Sequence, residues 1–192
     1  MPAGTAFVKH EFDEAISIQK AVVEAARALS EAHPVPDART AIKEMLPIGE
    51  AHLQTLQSFG ALFDSRGKQE DVARGMNSLM QKMLAKAQEG GAEESEAYEA
   101  HAVLLSLARK QQDSTASLIL LAEKVDDKKL ATAARKMQRE LNASTKQLNE
   151  LLADFAVRIA AQGDGLEAVK AAAQGEAQPA ENEGARGGRG KP

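Results

Sequence analysis

The side chains with the widest chemical range in this chain are its four histidines, and there is no cysteine. Three of them close Glu-Ala-His triplets: Glu31 to His33, Glu50 to His52 and Glu99 to His101. Imidazole and carboxylate are donors that iron and zinc accept. Residues two apart on a helix, however, point about 200° away from each other, so a triplet within one helix cannot chelate a single ion. A metal site must draw on several helices, and the candidate set is His52 and His101 with Glu11 or Glu14, holding iron or zinc. Three helices would have to converge to build it. Against that set stands a plainer role, because His101 lies on an apolar stripe with Ala97, Tyr98 and Leu105, where a hydrogen-bonded core histidine is the commoner occupant. The same reading applies to His52.

The remaining chemistry is sparse. Without cysteine there is no disulfide, thiol nucleophile or iron–sulfur cluster. The sequence holds no Gly-rich phosphate loop after a strand and no Ser/His/Asp nucleophile set, so it gives no support for an enzyme. Gln111, Gln112, Ser114 and Thr115, with Ser144 and Thr145, place polar groups at mid-helix, where a buried polar layer would fix helix register and a solvent face would be the alternative. Met76, Met80 and Met83 form an adaptable apolar stripe suited to packing or to a binding surface. Arg186, Arg189 and Lys191 give the C-terminal segment a basic end that could touch an acidic partner.

Helical periodicity positions these residues. Val8, Phe12, Ala15, Val22, Ala26 and Leu29 recur at three- and four-residue steps and predict a helix from Ala6 to Ala32, stopped by His33-Pro-Val-Pro36. Asp37 is the expected N-cap of a second helix running to Asp64, with Gly67 placed to end it. A shorter helix is expected from Gln69 to Gln88 and is ended by Gly90-Gly91. The next helix starts near Glu93 and reaches Val125. Asp126-Asp127 makes the turn and cap, and the last helix runs from Lys128 to Gln162. Short links inside the first and last pairs predict antiparallel hairpins, and the longer link between the pairs suits a crossover.

The fold class is therefore all-α: a bundle domain over residues 1–162 and a flexible tail over 163–192. The tail's large apolar residues are Leu166 and Val169. A helical extension from Leu166 to Ala173 is compatible with the tail, and disorder is expected beyond Gly175. A net charge of −4 with mixed signs disfavours duplex nucleic acid as a partner. No apolar run is long enough for a signal peptide or a membrane span, so a cytoplasmic protein is expected.

Shifting the chain by 92 positions aligns Ala38–Phe63 with Leu130–Phe155 without a gap, and seven of 26 pairs are identical. They include Met45 with Met137, Leu56 with Leu148 and Phe63 with Phe155. An internal duplication would relate the two hairpins by a pseudo-two-fold axis, and His52 then aligns with Ser144. Two hairpins, a crossover and a repeated second helix resemble the ferritin-like superfamily of four-helix bundles over residues 6–162. Met45-Leu-Pro-Ile-Gly-Glu-Ala-His-Leu53 is similar to a Leu-Pro/His-Leu stretch in small bacterial members of unassigned function. Di-iron members carry Glu-x-x-His on two helices, and this chain has none. The resemblance implies a self-associating bundle without a working metal centre and with a structural or stress-related binding role. A phasin-like coat on a lipid or polymer granule suits the same amphipathic helices, and a metal-handling protein using His52 and His101 is the third reading.

Overall fold

The computed structural model describes residues 3–67 and 94–176, with scattered residues between. It is all-helical, with five α-helices and no strand among the described residues: α1 (Ala3–Ala32), α2 (Pro36–Gly60), α3 (Glu94–Lys124), α4 (Lys128–Ala160) and α5 (Gly165–Glu176). No described helix is long and apolar enough to cross a membrane. Most of the expected Gln69–Gln88 helix lies outside the described residues, as do Met76, Met80, Met83, Arg186, Arg189 and Lys191.

Local chemistry sets the helix ends. Pro34 disfavours the helical conformation for the residue before it, and the last α1-type bond runs from the His33 N–H to the Leu29 carbonyl. The second helix begins two residues earlier than expected. Val35 is its extended N-cap and Pro36 its first residue, where a missing N–H costs nothing. Asp37 sits instead in the first turn, where an acid meets the positive end of the helix dipole. The helix continues through Pro47 without restarting.

At its far end α2 tightens into a 3₁₀ turn (Ala61–Phe63), and Asp64, in the left-handed region at φ 54°, stops it. Gly67, at φ 68°, lets the chain pass α1. A Cβ there would stand 2.4 Å from Ile16 Cγ2. Asp13 Oδ1 accepts the N–H groups of Arg66 (3.0 Å) and Gly67 (2.9 Å), and Ser65 Oγ donates to the Lys9 carbonyl. This latch ties the end of α2 to the beginning of α1. Asp127 caps α4 by accepting from the N–H groups of Lys129 and Leu130, at 3.0 and 2.9 Å.

The chain divides into two compact units, Met1–Ala156 and Val157–Pro192. In the second, Gly163 at φ 72° follows the end of α4, and α5 is bound locally by a Lys170–Glu167 pair at 2.7 Å. The first unit holds two apolar clusters, each built from all four of its helices. One contains Ala25 and Leu29 of α1, Ile42 of α2, Leu104 and Leu107 of α3, and Leu148 of α4. The other contains Phe12 and Ile16, Leu56, Leu118, and Leu130 with Met137. Each fully buried Leu or Ile contributes about 1.5–3 kcal/mol relative to exposure. Between the clusters, at residues 17–19, 52, 111–115 and 145, the buried positions turn polar: Ser17, Gln19, His52, Gln111, Ser114, Thr115 and Thr145.

Candidate functional site

The histidines fall into three separate settings. His33 and His101 are fully buried and joined, with His101 Nδ1 3.3 Å from His33 Nε2. The proton positions follow from the outer partners. The Val35 N–H donates to His33 Nδ1 at 3.1 Å, so the neutral His33 ring carries its hydrogen on Nε2 and donates it to His101 Nδ1. His101 Nε2–H then donates to the Leu148 carbonyl at 3.0 Å. The relay links the α1–α2 turn to α3 and α4. Phe155 packs against His33 with ring centroids 4.9 Å apart.

Burial pushes both rings down to about 4, and for His33 the neighbouring His101 adds to the shift. Both are therefore neutral near pH 7. With every ring nitrogen engaged by protein, His101 is held as a core histidine.

His52 sits elsewhere, in the polar layer. Its Nε2 lies 2.8 Å from Glu140 Oε2, and because a carboxylate only accepts, Nε2 carries the proton. Its buried Nδ1 meets no partner. The same is true of Gln19 Oε1, both amide atoms of Gln111, Ser114 Oγ and Thr145 Oγ1. Of the mid-helix residues singled out by sequence, Gln111, Ser114, Thr115 and Thr145 are thus buried. Gln112 is half-buried and donates to Asn142 at 2.9 Å.

Glu11 and Glu14 group with the exposed His10, not with His52 or His101. Their ligand atoms lie within 4.8 Å of one another, the one such set of three or more among the described residues. Glu14 is also paired to Lys110 Nζ at 2.7 Å. The four proposed ligands therefore occur in three places: His101 with His33, His52 with Glu140, and the two glutamates with His10.

His33, Gln19 and Glu140 were not singled out as site residues by the sequence reading. Gln19 had a signal, because it fills the step between Ala15 and Val22 on the apolar stripe of α1. No family model, curated protein or solved structure matches the chain.

Proposed function

We propose that this chain is a non-enzymatic, cytoplasmic helical-bundle protein of ferritin-like topology, self-associating, with a structural or stress-related binding role in place of metal chemistry. The carrying observation is the order of the two core clusters along each helix. In α1 and α4 the Phe12/Leu130 cluster comes first in sequence, whereas in α2 and α3 the Leu29/Leu104 cluster comes first. That order fits α1 antiparallel to α2 and α3 antiparallel to α4. It also fits α2 and α3 running in the same direction, as the crossover wiring of that superfamily requires. Simple up-and-down wiring would make α2 and α3 opposed.

The duplicated residues support the same reading. Met45 packs with the Leu104 cluster while Met137 lies in the other, and Leu56 and Leu148 exchange clusters in the opposite sense. A two-fold axis across the bundle exchanges ends in this way. At mid-height, where di-iron members of that superfamily place bridging carboxylates, the buried groups are amides, hydroxyls and His52. Such groups bind neutral ligands better than they hold paired cations. Elemental analysis with a size measurement tests the reading: an oligomer without stoichiometric metal is expected, and a metal-loaded monomer would overturn it.

A phasin-like coat is the second reading. The exposed Phe7, Leu62, Leu120 and Val125 favour it. A gradual melt, with helicity rising on added lipid, would select it over the cooperative unfolding expected of a packed core.

A further inference from the structure

Gln19 and His52, both more than nine-tenths buried, line one cavity of about 40 Å³ between α1, α2, α3 and α4. Their hydrogen bonds fix which atoms remain. Gln19 Nε2 donates to the Gly49 carbonyl at 3.0 Å, which leaves Oε1 as an unpaired acceptor. His52 Nε2 donates to Glu140 at 2.8 Å, so in the neutral ring Nδ1 carries an unpaired lone pair. Ser144 of α4 lines the same space and brings a hydroxyl, with one hydrogen to donate. Most of the remaining wall is apolar, with Val23, Leu104 and Leu148, and among the described residues no lysine, arginine, aspartate or glutamate lines it.

We infer that this cavity is the seat of one ordered water, which donates its two hydrogens to Gln19 Oε1 and His52 Nδ1, accepts from the Ser144 hydroxyl, and so bridges α1, α2 and α4. The count of donors carries the assignment. Two acceptors need two hydrogens, and Ser144 has only one to give. A water supplies both and keeps lone pairs for the serine. Leaving two buried acceptors bare costs more than immobilising one such molecule. Size and surroundings agree, because a buried water needs on the order of 10–15 Å³ and two to four polar partners, whereas a wholly apolar cavity stays dry. An ion is excluded, since neutral partners in an apolar wall do not repay its desolvation. The chain Gln19–water–His52–Glu140 then runs from the bundle interior to an outer groove that His52 and Glu140 also line. It is the counterpart of the His33–His101 relay. There a backbone N–H at a helix start completes the relay; at mid-helix, where the backbone has none to lend, the water takes its place and fixes the rotation of α1 against α2 and α4.

The test is made on the full-length protein in two ways. A high-resolution crystal structure should show one water about 2.7–3.2 Å from both Gln19 Oε1 and His52 Nδ1. In solution, NMR should give water cross-peaks to the His52 ring and the Gln19 side-chain amide with the sign of a long-lived internal water. Gln19→Met, which keeps the side chain's length and removes the acceptor, should shorten the residence of that water about tenfold, the size of one lost hydrogen bond. The parent protein's crystal and cross-peaks decide the matter even where this variant folds poorly. The assignment is overturned by an empty cavity that takes up xenon, by a direct hydrogen bond between the Gln19 and His52 side chains, by cross-peaks with the sign of fast-exchanging surface water, or by an unchanged residence in a cooperatively folding Gln19→Met. None of these readouts depends on oligomer size or metal content, so their failure counts against the water site alone and leaves the proposed function to its own test.

Discussion

At the His33–His101 end of the bundle every histidine nitrogen has a protein partner, whereas midway along the same helices Gln19, His52, Gln111, Ser114 and Thr145 each bury a polar atom that meets none. The difference lies in what the backbone can spare. A helix start has N–H groups without intrahelical acceptors, and the chain around Val35 lends one to His33. At mid-helix those donors are consumed by i→i−4 bonds, so polar side chains there must satisfy one another or receive a guest. The first region is a closed device that specifies packing. The second is open, and it is where binding is proposed.

Acid should break the closed region with the largest effect. Both rings fall from the ordinary 6.5 to about 4 on folding, so the unfolded chain takes up the protons first. Stability is full above pH 6.5 and is lost as pH falls through the window from 6.5 to 4. The loss is on the order of 3 kcal/mol for one ring. Urea midpoints at pH 7 and pH 4.5 measure it, and identical midpoints would remove the relay's role.

Next in size, His101→Leu leaves the His33 Nε2–H buried without an acceptor and should cost about 3 kcal/mol. The same variant should show a shallower pH dependence over that window, because one of the two depressed rings is gone. Urea unfolding of the variant across the same pH range checks both effects.

In the open region the sign should reverse. Gln111→Met removes two unpaired buried amide atoms and keeps the chain's length, so a gain of about 1 kcal/mol is expected. A loss instead would mean that Gln111 is partnered in solution and that the contrast between the regions is smaller than drawn.

The smallest effect calibrates the others. Asp127→Ala removes the α4 cap far from both regions and should cost about 1 kcal/mol at pH 7. Thermal melts at pH 7 read this directly.

Much of the architecture was legible because helical periodicity is a one-dimensional signal. Four long helices and the Asp126-Asp127 turn followed from stripes and caps, and errors at the ends were small. Asp37 was read as an N-cap because its side chain suits one, yet Pro36 prefers the first helical position and moved the boundary. The candidate site was much less legible. His101 could be read as a core histidine from Ala97 and Leu105, but its partner His33, next to a helix-stopping Pro-Val-Pro, looked like punctuation.

Residue order by itself determined where helices form, which faces are apolar and that thiol chemistry is absent, since each depends on type and spacing within a few turns. Tertiary structure alone decided that His101 meets His33 across 68 positions and His52 meets Glu140 across 88. It also decided that Gln19 faces the same cavity as His52. Those pairings depend on the rotation and register of packed helices, which are set by the sum of many side-chain contacts and leave no periodic mark in the chain.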